Sequence, residues 1–139
     1  MLRATLSNIM SEDIVVVSED TKVGQAAHLL LRFRINGILV VKKGDKKKVK
    51  GVLTTTDLLG FLDKAFSGRI FAAEKLKTVA NLPVGAIAGK TVLKVQKDAE
   101  IGKVISLMHK KRIHTIPVYD GKKLVGVVGK HDIINAAFA

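Results

Sequence analysis

The chain reads as an α+β protein built from two β-α-β-β-α units packed with pseudo-two-fold symmetry. Three observations predict this. Residues 9–41 match residues 87–119 at an offset of 78, and residues 51–59 match 126–134 at an offset of 75. Each copy repeats one order of signals: a β-rich run, a helical stripe, two apolar runs around a turn, and a last helix. Each copy is also small, about 50 residues, a size that rarely buries enough surface alone, so two copies sharing a core are the stable solution.

The elements follow in order. IVVV (14–17) and VLKV (92–95) are short runs of β-formers, and Asp20 and Asp98 stand after them where they would cap a helix. Ile101, Val104, Ile105 and Met108 recur at helical spacing, and Val23, Ala26, Ala27 and Leu30 repeat that spacing with smaller side chains. Next come GILVV and VKGVL in the first copy, TIPVY and KLVGVV in the second. Pro117 is expected near the start of its strand, where its missing N–H costs least. A final helix begins at or just before Asp57 and Asp132. The repeats span 1–66 and 85–139. Between them Ser67–Val84 has no counterpart, and reads as a linker, helical through FAAEKLKTVANL and stopped at Pro83.

Composition narrows the function. The absence of cysteine excludes disulfide scaffolds, thiol catalysis and cysteine-ligated zinc. No apolar run reaches the roughly 18 to 20 residues of a membrane span, and the N-terminus lacks a signal peptide's apolar core, so a cytoplasmic protein is expected. The net charge is +12, and six lysines against Asp45 lie in KKGDKKKVK (42–50). Gly44-Asp45 inside that run is turn chemistry, which predicts a solvated hairpin loop. His109 and His114, five apart on a helix and its exit, fall on different faces, so no metal pair is expected.

The helix starts at Asp20 and Asp98, the I-P-V strand at 116–118 and the ends GVLTTTD and GVVGKHD together resemble the paired CBS domain, named from cystathionine β-synthase, over nearly the whole chain. The resemblance implies a regulatory module that binds an adenosine nucleotide, such as AMP, ADP, ATP or S-adenosylmethionine, in a cleft between the repeats. It implies no catalysis and no required cofactor. The residues suit such a ligand. A strand ending at Thr54 and a helix starting near Asp57 would present backbone N–H groups and a favourable dipole to a phosphate. The Thr54 hydroxyl would add a contact, and the Asp57 carboxylate could accept both hydroxyls of a ribose. The same two residues would also serve as a plain helix cap.

Carried over from the family, the first pocket uses Val52, Leu53, Thr54, Thr55, Thr56 and Asp57, with Leu93 against the base and His114, Thr115 and His131 towards the phosphates. A second, weaker pocket would use Val15, Asn36, Gly37, Val127 and Asp132. Its hydroxyl position is taken by Gly129 and its phosphate side lacks charge. The family also implies a homodimer and an effector protein that the sequence does not name. Two other classes are weighed. The charge suggests a basic nucleic-acid-binding or protein-interaction module. Yet Trp is absent and Tyr119 is the only Tyr, so no platform for stacking bases is present. An enzyme is the poorest reading, for there is no G-x-S-x-G, P-loop or H-E-x-x-H.

Overall fold

The computed structural model of the protein describes residues 5–66 and 73–138. In chain order the elements are α1 (Leu6–Ile9), β1 (Val16–Ser18), α2 (Val23–Phe33), β2 (Gly37–Lys42), β3 (Asp45–Thr54), α3 (Thr55–Ala65), α4 (Ala73–Ala80), a 3-10 turn (Val84–Ala86), β4 (Val95–Gln96), α5 (Ile101–Lys111), β5 (Thr115–Asp120), β6 (Lys123–Gly129) and α6 (Lys130–Phe138). They form a mixed α+β protein with two three-stranded sheets, β1-β2-β3 and β4-β5-β6. In each sheet the first pair is parallel and the second antiparallel. Among the described residues no helix is long and apolar enough to cross a membrane.

By contact the chain divides into two compact units, Val16–Thr91 and a second made of Met1–Val15 with Val92–Ala139. We call them the first-repeat and second-repeat units. Each takes its leading segment from the other copy. In the second-repeat unit Ser11 and Val127 exchange backbone hydrogen bonds of 2.8 and 2.9 Å, while in the first-repeat unit Val52 and Gly89 exchange two of 3.0 Å. Ser11 and Gly89 are equivalent at the offset of 78, so one contact occurs twice. It explains the glycines of the repeat. A Cβ on Gly51 would lie 2.4 Å from the Gly89 carbonyl oxygen, and one on Gly126 would lie 2.9 Å from that of Ser11.

The second-repeat core joins Ile101, Val104 and Met108 of α5 to Ile116, Val118 and Val128 of the sheet and Ile133 of α6, and Leu6 of α1 closes it. In the first-repeat unit Val23, Ala26 and Leu30 of α2 are buried, with Ile38, Val40 and Leu53 on the sheet. Helix α3, despite its leucines, buries no residue at all. Pro117 falls where expected. It faces Val127, whose N–H and C=O are both spent on Ser11, so the proline leaves no partner unsatisfied there.

Several expectations are corrected. Neither Asp20 nor Asp98 caps a helix: α2 and α5 start later, with Lys22 and Glu100 at the N-cap and no side-chain cap bond. A turn after β1 carries Asp20 away, and the Val23 N–H finds the Leu82 carbonyl at 2.8 Å instead. The first strands begin at Val16 and Val95, not at 14 and 92, because parallel pairing starts only there. The lysine run is not a loop. Lys43-Gly44 forms the turn, with Gly44 at φ +80°, and the chain is β-strand again from Asp45. Val41 faces Val49 and Lys42 faces Asp45, so Lys46, Lys47 and Lys48 have no cross-strand partner and absorb the three extra residues as a bulge. Of the predicted linker helix, α4 covers Ala73–Ala80, and residues 67–72 lie outside the described residues.

Candidate functional site

The corner from β3 into α3 is closed by a reciprocal capping box. The Asp57 N–H donates to Thr54 Oγ1 at 3.0 Å, and the Thr54 N–H donates to Asp57 Oδ2 at 2.9 Å. The Thr55 N–H is spent on the Asn36 carbonyl at 2.9 Å. Both side chains are half-buried, and Thr55 and Thr56 are exposed on the first turn. Asp57 Oδ1 has no partner among the described residues. The corner therefore offers one carboxylate oxygen, exposed hydroxyls and the positive end of an 11-residue helix.

The equivalent corner of the second-repeat unit carries half of this arrangement. The Gly129 N–H donates to Asp132 Oδ2 at 2.7 Å, but glycine cannot return a bond. The Lys130 N–H reaches the His114 carbonyl at 3.1 Å, as Thr55 reaches Asn36.

Within the first-repeat unit the structure brings Val52 and Thr54–Asp57 together with Asn36 and Gly37, since Gly37 pairs with Thr54. Within the second-repeat unit it brings His114 and Thr115 beside Gly129–Asp132, since Thr115 pairs with Gly129. In each unit the strand neighbours of the aspartate thus come from its own hairpin. Leu53, backbone and side chain alike, is completely buried. Leu93 packs against the second-repeat core. Val15 and Val127 are half-buried, and His114 and His131 are exposed.

His109 and His114 do not fall on different faces. Both line a shallow apolar groove with Ile105, Met108, Ile133 and Ile134, because Arg112 takes a left-handed conformation (φ +53°) after α5 and turns His114 back towards it. Among the described residues no group of three His, Cys, Asp or Glu could hold a metal ion. Sequence reasoning missed Gly89, where a Cβ would stand 3.9 Å from Asp57 Oδ2. The signal was present in the glycine shared by residues 51 and 126, which marks a close backbone approach.

A model of the CBS domain matches residues 6–64 and 84–139. Over 124 residues the chain is 30% identical to a 5′-AMP-activated protein kinase gamma subunit of Dictyostelium discoideum, covering 86% of this chain and 21% of that protein. It is 27% identical over 127 residues to an inosine-5′-monophosphate dehydrogenase of Methanocaldococcus jannaschii, covering 91% of this chain and 22% of the enzyme. The chain thus spans about a fifth of the length of these relatives. A CBS-domain containing protein of Agrobacterium tumefaciens superposes with a TM-score of 0.78 at 22% identity, covering 97% of this chain and all of the other. CBSX2, solved in complex with AMP, superposes with a TM-score of 0.74 at 24% identity, covering 96% and 95%. A CBS domain pair solved with 5′-methylthioadenosine and S-adenosyl-L-methionine gives 0.75 at 22%, covering 95% and 98%.

Proposed function

The chain belongs to the CBS domain family, with two tandem copies, and on that premise we propose that it is a non-catalytic sensor of an adenosine-type nucleotide. The observation that carries the reading is the Thr54–Asp57 corner. There a carboxylate is held by its own helix cap while its other oxygen has no partner among the described residues. Such a group can accept from a ribose hydroxyl without moving, and the helix start beside it favours a phosphate. The ligands of two structural neighbours, AMP in one and S-adenosyl-L-methionine with 5′-methylthioadenosine in the other, support the adenosine class. The family likeness assigns Leu93, His114, Thr115 and His131 to the same ligand, and the Asp132 corner, with Val15, Asn36, Gly37 and Val127, to a weaker second one. Ligand binding would act by favouring one conformation over another, to be read by an effector protein.

Calorimetric titration with AMP, ADP, ATP and S-adenosylmethionine tests the reading. One of the four should bind saturably. Asp57→Ala should abolish that binding, and Asp132→Ala should reduce it at most slightly. Equal losses in both variants, or two equivalent tight sites, would contradict the ranking of the corners. No heat with any ligand would leave a CBS pair without this function.

The reading extends to a homodimer. Helix α3 leaves Leu59 at 69% exposure, and α6 leaves Phe138 at 86%, apolar surface that a second copy would cover. Light scattering at micromolar concentration should return twice the chain mass, and a monomeric mass would refute the dimer.

A further inference from the structure

The duplication supplies an internal control for a cavity of about 210 Å³ in the first-repeat unit, lined in part by Glu19, Lys50, Gly51, Ala88 and Lys90. At the equivalent positions the second repeat has Lys97, Val125, Gly126, Met10 and Glu12. There the methionine fills the space: a Cβ on Gly126 would stand 2.5 Å from Met10 Sδ and 2.9 Å from its Cγ. In the first-repeat unit the methionine is Ala88, whose Cβ is 3.8 Å from the same probe position on Gly51. Where the side chain shrinks, valine and glutamate become two lysines while Lys97 becomes Glu19, so the charge over these three positions rises from zero to +1. The opening and the charge coincide at one place.

Neither Lys50 nor Lys90 has an acidic partner among the described residues, where the ion pairs are Lys43–Asp20 and Lys97–Asp120. Glu19 also lines the cavity, with Oε2 already accepting the Lys43 N–H at 3.0 Å. The unpaired Lys46–Lys48 bulge, on the same strand as Lys50, adds positive potential. Size decides the ligand. At about 210 Å³ the cavity is below the roughly 300 Å³ of pockets that enclose drug-sized ligands, yet it exceeds several times the roughly 30 Å³ share of one water.

We propose that this cavity binds a small phosphate-type oxyanion, held by Lys50 and Lys90 and neighbouring the Thr54–Asp57 corner through Gly89, which lines the cavity and stands beside Asp57. Ammonium groups on flexible stems suit an anion that needs charge more than bidentate geometry. The test is an amide NMR titration of the full chain with inorganic phosphate, with sodium chloride matched in ionic strength as the control. Saturable shifts are expected at Gly51, Lys90 and Gly85, which also lines the cavity. Ala88→Met, which copies the filled counterpart, should weaken them by at least about tenfold, and so should Lys90→Glu. Should Ala88→Met fail to fold, Lys90→Glu, an exposed change, decides alone. Absent saturation, shifts confined to residues 55–57, or affinity kept within about twofold in the folded variants would each overturn the proposal.

Discussion

At Thr54 the strand-to-helix corner is closed by two side-chain hydrogen bonds, and at Gly129 the same corner is closed by one. The bond that both copies keep runs from the backbone N–H to the aspartate, so the carboxylate is what the corner needs in order to fold. The hydroxyl is optional. Asp132 is accounted for by capping before any ligand is invoked, so its presence alone does not mark the second corner as a site. Thr54 is different, because its counterpart shows that the corner forms without it. Of the two residues the threonine is the better marker of function.

The comparison can be broken at several points. The largest effect is expected where the leading segments touch the sheets. Gly51→Ala drives a Cβ to 2.4 Å from a backbone oxygen that cannot retreat, and should destabilise by about 3 kcal/mol. Gly126→Ala meets mainly the flexible Met10 thioether and should cost about 1 kcal/mol, both read from denaturant midpoints. Equal costs would mean that the Met10 side chain yields no more readily than the Gly89 carbonyl. At the corners, Thr54→Ala should lose about 1 kcal/mol. Gly129→Thr should regain part of that amount, since a Cβ there meets only ordinary contacts at 3.5 and 3.7 Å.

Tyr119 sharpens the contrast between the sheets. It stands where the first repeat has Val41, and its buried hydroxyl has no partner among the described residues. Burial pushes its pKa up, and the Lys94 ammonium lies 5.3 Å from its ring centroid. Tyr119→Phe removes the unsatisfied group while keeping the ring, and should raise stability by up to about 1 kcal/mol in the same denaturation assay. The smallest effect is at Asp20, whose side chain is exposed. The Ser18 hydroxyl, more than the Lys43 ammonium, holds its carboxyl below the usual range. A depressed folded pKa contributes stability above the unfolded value near ~3.9 and loses it as pH falls through the folded value. Ser18→Ala should shift the Asp20 midpoint upward in a carboxyl NMR titration.

The hairpins, the start of α3 and α6 and the place of Pro117 were legible because a repeated signal confirms itself: apolar alternation recurs at the same offsets in both copies. The start of α2 was not. Asp20 is a good cap by type, but the acceptor for Val23 is the Leu82 carbonyl, which no local rule connects to it. The lysine run was readable as exposed and misread as a loop, since a bulge lets lysines stay in a strand without facing a partner. The Thr54–Asp57 pair was legible as chemistry. The neighbours contributed by Asn36 and Gly37 were not, because they depend on which hairpin strand pairs with which.

The exchanged leading segments set an order on synthesis. Leu6 and Ser11 leave the ribosome well before the core and strand that receive them, which are built from residues 101 to 133. The second-repeat unit is therefore discontinuous, and must close a loop of roughly a hundred residues before its first segment has anything to pack against. The first-repeat unit waits only for Gly89, a few dozen residues after its sheet is made. A nascent chain should protect β2 and β3 from exchange well before α1, and Leu6 and Ser11 should find their place only after the second repeat is made.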